Sequence, residues 1–335
     1  MSTLYSNKKL ADDGYIYVTY GDIKYLKNAI SSVLTLRRYD KYRDVALFCS
    51  EHHIELLERS GLSNYFTHIF QLPKENQSIT GFKHNLHRFL PFRKNLFIDS
   101  DIVWCKNPEN LWVRLSSYQF TITGNQTADI FFGAHKGLGI IKDFLLGSRK
   151  RTLKRFGLTY LSRVQSGMIY ISDPLLAEKV CNQSKEYISQ RHLTHFRSRK
   201  EEHGRSEESC EWSLAMAMSK LNLQVFPWIN GYESPQLDFI DNFTIYDEDF
   251  NYVECMVYTN KFVYDLKGLK SKKLQSFLIG LTTKIPGRGD YIKVTPYCLH
   301  FGWYHQKEPL NRFSERCWDQ LVNRTVTEQV TGAAS

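Results

Sequence analysis

The 335-residue chain predicts an α/β fold, a single elaborated domain with a mixed, mostly parallel central sheet flanked by helices. Three observations carry that expectation. Short apolar, β-branched and aromatic runs alternate with helix-spaced segments near the start of the chain, which is the succession of parallel βαβ units. At 42% hydrophobic and 24% charged the composition is that of a globular chain and excludes disordered, collagenous and small disulfide-scaffold classes. No repeat, Gly/Ser linker or compositional break divides the sequence, so residues 1–310 read as one domain and 311–335 as a C-terminal extension or tail.

Tyr15-Ile16-Tyr17-Val18-Thr19-Tyr20 closes on Gly21-Asp22, which predicts a buried strand, a turn and a helix N-cap. Leu26, Ile30, Val33 and Leu34 then fall at helical spacing between Ile23 and Arg38, with Arg37 and Arg38 placed to complement the helix dipole. Val45 to Cys49 predicts a second strand, and Ile54, Leu57 and Glu58 a helix that stops at Gly61. Tyr65 to Leu72 fits a third strand before Pro73, and Phe82 to Leu90 a short helix. The apolar run Asn95-Leu96-Phe97-Ile98 then ends abruptly in Asp99-Ser100-Asp101. Further strands are expected over Gln119 to Ile122, Gly167 to Ile171, Leu223 to Trp228 and Tyr297 to Phe301, where the ordered part is expected to end. Helices are expected from Pro174 to Ile188 and from Glu211 to Leu221, and a loose terminus from Thr325 to Ser335.

Seven cysteines without a C-x-x-C pair or ligand spacing point to a reducing compartment and away from structural zinc. No apolar run reaches the roughly 20 residues of a spanning helix, and Met1 to Asp13 is polar, so a cytoplasmic location is expected. Aromatic residues make up 14% of the chain, which fits a filled core or a site that stacks on rings and sugar faces.

Asp99 and Asp101 are two apart at the end of a buried strand, so both carboxylates are expected on one side, at the sheet edge where open α/β folds bind ligands. Paired carboxylates suit Mg²⁺ or Mn²⁺ with positions left open for phosphate oxygens. The plainer reading is a solvated strand end, and the chain carries a second acidic triplet, Asp247-Glu248-Asp249, after only a short apolar run.

The segment from Phe82 through Trp112, with Lys83, Leu86, Phe97-Ile98-Asp99-Ser100-Asp101 and Asn107-Pro108-Glu109-Asn110-Leu111-Trp112, resembles family 8 glycosyltransferases of the Rossmann-like GT-A fold. That group includes glycogenin and bacterial lipopolysaccharide galactosyl- and glucosyltransferases. Thr19-Tyr20-Gly21-Asp22 and Tyr25 are similar to the family's nucleotide-contacting first strand and turn. Gln165-Ser166-Gly167 is similar to its N-S-G strand, with Gln in place of Asn, and His300-Phe301-Gly302 with Lys307 to its H-x-x-G-x-x-K segment. Glu208-Ser209-Cys210-Glu211-Trp212 stands where the family carries D-x-x-D-Q.

The resemblance implies a metal-dependent, retaining hexosyltransferase using a nucleotide diphosphate sugar, a UDP-sugar foremost, and a hydroxyl of a glycan or lipid-linked saccharide acceptor. It divides the domain into a nucleotide-sugar half at about 13–125 and an acceptor half at about 126–310. It implies Mn²⁺ or Mg²⁺ at Asp99, Asp101 and His300, and nucleotide or phosphate contacts at Thr19, Tyr20, Gly21, Asp22, Tyr25, Lys83, Ser100 and Lys307. Sugar-side catalytic roles fall to Glu211, Gln165 and Glu208. Plainer readings stand beside these: core packing for the tyrosines, a helix-surface lysine for Lys83, a structural histidine for His300, and dipole-complementing acids for Glu208 and Glu211.

Lys and Arg exceed Asp and Glu by 44 to 35, a net charge of +9. Arg149, Lys150, Arg151, Lys154 and Arg155 follow the apolar Ile140, Ile141, Phe144, Leu145 and Leu146. Lys267, Lys270, Lys272 and Lys273 precede Phe277, Leu278, Ile279 and Leu281. Basic residues beside apolar ones suit an anionic membrane surface, here the inner leaflet, or a phosphorylated lipid-linked acceptor, rather than nucleic acid, with solvated helix faces as the alternative. Two other functions fit parts of the pattern. A sugar-phosphate nucleotidyltransferase would carry a Gly-rich basic phosphate loop that Thr19 to Asp22 does not match. A non-catalytic carbohydrate- or nucleic-acid-binding module would account for the basic, aromatic composition alone.

Overall fold

The computed structural model describes residues 3–6, 11–129, 132–133, 143, 145–201, 207–258, 266, 269, 271–283 and 291–332. The main sheet is built from β1 (Thr3–Ser6), β2 (Asp13–Thr19), β3 (Asp44–Cys49), β4 (His68–Gln71), β5 (Lys94–Ile98), β7 (Phe120–Asn125), β8 (Arg163–Ile171) and β9 (Phe226–Pro227). Their order is β1-β4-β3-β2-β5-β8-β7-β9. The run from β4 through β3 and β2 to β5 is parallel, while β8 enters antiparallel between β5 and β7. The sheet is thus mixed and mostly parallel, as the βαβ succession predicts.

Alternation along the strands decides the layers. Ile16 of β2 joins Ala46, Phe48, Phe97 and Ile169 on one face, covered by α6 (Pro174–Ser189) and α7 (Glu211–Lys220). Tyr15 and Tyr17 join Val45, Leu47, Leu96 and Ile98 on the other, covered by α1 (Ile23–Arg37). The buried tyrosines keep their hydroxyls paired: Tyr15 donates to Asp40 at 2.8 Å, and Tyr17 lies 2.9 Å from Ser32 Oγ. Much of the aromatic content is therefore core. The α2 helix (Glu51–Ser60) ends where Gly61 takes a φ of 68°, a left-handed cap that glycine adopts without strain.

Two small sheets extend this layer. β6 (Ile102–Trp104) pairs antiparallel with β14 (Cys298–His300), which pairs parallel with β10 (Gln236–Asp238). β11 (Thr244–Tyr246), β12 (Val253–Tyr258) and β13 (Tyr291–Val294) form an antiparallel meander beside them.

Several elements depart from expectation. The helix expected from Phe82 to Leu90 is split into α3 (Ile79–Lys83) and a 3₁₀ turn at Leu86–Arg88. The Asn76 and Asn85 side-chain amides donate to the Gly81 carbonyl at 2.7 and 2.9 Å, taking the acceptor a continuing helix would use. The third strand is shortened to His68–Gln71 because Tyr65 closes a 3₁₀ turn. Leu223 to Trp228 keeps only Phe226–Pro227 as strand, since Pro227 has no N–H to donate. The expected loose terminus is corrected as far as Gly332: after α4 (Glu109–Leu115), α5 (Ser148–Phe156) and α8 (Lys272–Thr283), a long α9 (Glu308–Gly332) follows β14. Trp318, Leu321 and Val322 pack α9 onto the layer built on α1, and Lys27 pairs with Glu315.

Of the two basic and apolar segments, Ile140, Ile141, Phe144, Lys267 and Lys270 lie outside the described residues. Leu145, Leu146, Phe277 and Leu281 are exposed, but Ile279 is core and Arg149 is turned inward to the Ala128 and Asp129 carbonyls at 2.8 Å. Among the described residues no helix is long and apolar enough to cross a membrane.

Candidate active site

Strand pairing brings the acidic turn and the C-terminal histidine together. β5 ends at Ile98, Asp99 donates its N–H to the Gly167 carbonyl of β8 at 2.9 Å, and the chain turns through half-buried Ser100 into β6. His300 is in register with Ile102, and the Phe301 N–H donates to the Asp101 carbonyl at 2.9 Å. One ligand atom from each of Asp99, Asp101 and His300 therefore lies within 4.8 Å of the other two. Two carboxylates and one imidazole nitrogen fit Mn²⁺ or Mg²⁺ in donor chemistry.

Two lysines flank this cluster. Lys83, the last residue of α3, is buried and donates to Asp99 at 2.9 Å and to the carbonyl and hydroxyl of Ser166 at 3.0 and 3.1 Å. Lys307, between β14 and α9, donates to Asp101 at 2.6 Å. Burial pushes the Asp99 carboxyl up, against the pull of Lys83. Burial acts the same way on Asp101, but Lys307 and His300 outweigh it and hold that carboxyl well below the usual range. For His300, burial disfavours the charged ring, yet Asp101 and Asp238 outweigh it and push its pKa up to about 10. Without a metal ion the cluster is thus a balanced set of opposite charges, and a divalent cation must compete with two ammonium groups and an imidazolium proton.

The cluster opens onto a cleft of about 250 Å³ lined by Gln165, Glu211, Trp228, Asp238, His300 and Trp303, among others. Glu211, the first residue of α7, accepts from the Ser166 N–H at 3.4 Å, which ties it to the strand beside Lys83. The Gln165 amide donates to Asp238, while its carbonyl oxygen is buried without a partner. Glu208 does not line the cleft; it takes the Ser198 hydroxyl and the Arg199 N–H, at 3.1 Å for the latter, and braces that loop.

The expected nucleotide turn is preorganised. Buried His53 spans it, with Nδ1 3.0 Å from Thr19 Oγ1 and Nε2 3.2 Å from the Gly21 carbonyl, and Gly21 has a φ of 74°. Asp22 caps α1 by accepting from the Lys24 N–H at 2.9 Å. Tyr20 donates to Glu207 at 3.4 Å; its phenol is pushed up by burial and by Glu207. Tyr25 is 39% exposed, with Lys24 over its ring.

Sequence reasoning missed Asp238, Trp228, Trp303, His53 and Glu207. Asp238 follows only Gln236 and Leu237 in a three-residue strand, with no long apolar run to mark it.

No family model matches the chain, and no curated protein matches it in sequence. Solved structures similar to it include the following three. Mouse xyloside xylosyltransferase 1 is 12% identical, with 67% of this chain and 87% of that one covered and a TM-score of 0.44. The glycosyltransferase GlyE of Streptococcus pneumoniae is 14% identical, with 96% of this chain and 64% of that one covered and a TM-score of 0.45. The galactosyltransferase LgtC, solved with donor and acceptor sugar analogs, is 10% identical, with 93% of this chain and 95% of that one covered and a TM-score of 0.47.

Proposed function

We propose that the chain is a divalent-metal-dependent glycosyltransferase that moves a hexose from a nucleotide diphosphate sugar, a UDP-sugar foremost, to a hydroxyl of a glycan or lipid-linked acceptor with retention of configuration. The observation that carries this reading is the convergence of Asp99, Asp101 and His300, flanked by Lys83 and Lys307, at a cleft lined by Trp228, Trp303 and Glu211. Indole faces beside a carboxylate suit a sugar ring.

When bound at Asp99, Asp101 and His300, Mn²⁺ or Mg²⁺ supplies positive charge to the departing diphosphate. Lys83 and Lys307 add fixed cations on either side of that position. The turn from Thr19 to Asp22 receives the base and ribose, with Tyr20 and Tyr25 available to stack, and Ser100 lies between the two acids. Glu211 orients the sugar or stabilises positive charge that develops at the anomeric carbon. Gln165 lines the sugar side of the cleft, and Glu208 acts at a distance by bracing the loop that carries Arg199. The bond from the anomeric carbon to the diphosphate breaks as the acceptor oxygen attacks from the same face and passes its proton to the leaving diphosphate, which accounts for retention. Exposed Leu145 and Leu146 beside the basic α5, and exposed Phe277 and Leu281 on α8 after Lys272 and Lys273, are the two segments that dock on an anionic membrane.

Calorimetry of UDP binding with and without Mn²⁺ tests the reading, together with hydrolysis of a panel of UDP-sugars. UDP affinity is expected to require the metal, and one sugar to be hydrolysed in preference. Equal UDP affinity with the metal chelated would reject the scheme in favour of a binding module. Formation of a nucleotide sugar from UTP and a sugar 1-phosphate would point to a nucleotidyltransferase.

A further inference from the structure

His300 is packed so that its ring has a single setting. A Cβ on Gly302 would come within 2.7 Å of its Cε1 and push the ring aside, and one on Gly167 would crowd its Nε2 at 3.2 Å. Asp238, in register with His300 on the neighbouring strand, places Oδ1 3.1 Å from Nδ1. That carboxylate is itself fixed: its side chain is only 3% exposed, the Gln165 amide donates to Oδ1, and the Trp303 indole N–H donates to Oδ2 at 3.2 Å. The Gln165 nitrogen is also 3.0 Å from Nδ1, but as a donor it is served by the carboxylate. An ionised carboxylate only accepts, so the nitrogen facing it keeps its proton, and when a cation displaces the other ring proton Nε2 is the nitrogen left with a lone pair. Nε2 is the atom 3.5 Å from Asp101 Oδ1, on the acidic side of the ring.

We propose that Asp238 is the positioning residue of the metal centre: it fixes the tautomer and orientation of His300 so that Nε2 faces Asp99 and Asp101, and it sets metal affinity without touching the ion. The inference rests on the metal-dependent reading of this site. Carboxylates placed behind a ligating histidine change metal affinity by about 10- to 100-fold when replaced.

Mn²⁺ binding to the full chain, without nucleotide or sugar, is measured by the electron paramagnetic resonance of free Mn²⁺. Asp238→Asn is expected to weaken binding by about 10-fold or more in a chain that still unfolds cooperatively in EDTA. Trp303→Phe, which removes the hydrogen bond to Oδ2 while keeping an aromatic ring, is expected to weaken it several-fold in the same direction and decides the matter if Asp238→Asn does not fold. In a His300→Gln background both substitutions are expected to lose their effect, because they act through the imidazole; a merely structural role would leave their effects additive. Parent-like Mn²⁺ affinity in Asp238→Asn and Trp303→Phe, or an undiminished loss in the His300→Gln background, overturns the proposal while leaving a metal site in place. Failure of the parent chain to bind Mn²⁺ overturns the metal-dependent reading itself, and this inference with it.

Discussion

Asp99 and Asp101 stand at the same spacing as Asp247 and Asp249, and the two pairs do different things. The first pair is held between Lys83, Lys307 and His300, with side chains only 25% and 14% exposed. In the second region Asp247 closes a turn by accepting from the Tyr252 N–H at 2.7 Å and from Asn251 at 3.1 Å. Asp249 and the exposed Glu248 brace Arg316 of α9. Carboxylates whose lone pairs are used by their own turn, in water, are caps and struts. Carboxylates that converge out of water on buried cations hold a strong local field, and that field gives a divalent ion a reason to bind.

The largest expected effect separates the two regions directly. Asp99→Asn with Asp101→Asn is expected to lower metal-dependent donor hydrolysis on the order of 10³-fold. Asp247→Asn with Asp249→Asn should leave it within about twofold, and comparable losses from both pairs would erase the distinction.

Stability sharpens the comparison at intermediate size. Lys83→Ala leaves the Asp99 carboxylate half-buried without its cation, which is expected to cost about 3 kcal/mol in denaturant titration, partly recovered when Mn²⁺ supplies the missing charge. Arg316→Ala breaks exposed pairs and should cost less than about 1 kcal/mol, with no recovery by metal.

The smallest expected signal is in pH. His300 has its folded pKa raised from 6.5 to about 10, so its contribution is fully present below 6.5 and is lost as pH rises through about 10. In EDTA the thermal midpoint is expected to fall between pH 7 and 10 more steeply in the parent than in His300→Gln. Identical slopes would show that the imidazolium is not held by Asp101 and Asp238.

The acidic turn was legible because an uninterrupted apolar strand ends on it, and alternation within β2 and β5 wrote the layered core into the sequence. Asp238 was not legible: its neighbour His300 is 62 residues away, and only the parallel pairing of two three-residue strands joins them. The broken helix after Phe82 turned on side-chain amides competing for one carbonyl, which propensity does not register. The α9 helix was written in the spacing of Leu310, Phe313, Trp318, Leu321 and Val322 and was overlooked. His53 and Glu207 reach the turn after β2 from 34 and 187 residues away, beyond the reach of any local motif.

The bond between Lys307 and Asp101 spans 206 residues, and Lys27 meets Glu315 across 288. During synthesis Lys83 is already made when Asp99 appears, but Asp101 waits 206 residues for its own counter-charge. The early parallel strands have formed partners to gain in the meantime, whereas Asp101 meets His300 and Lys307 only once the C-terminal strand is paired, so metal affinity should appear as one late step after the sheet has formed.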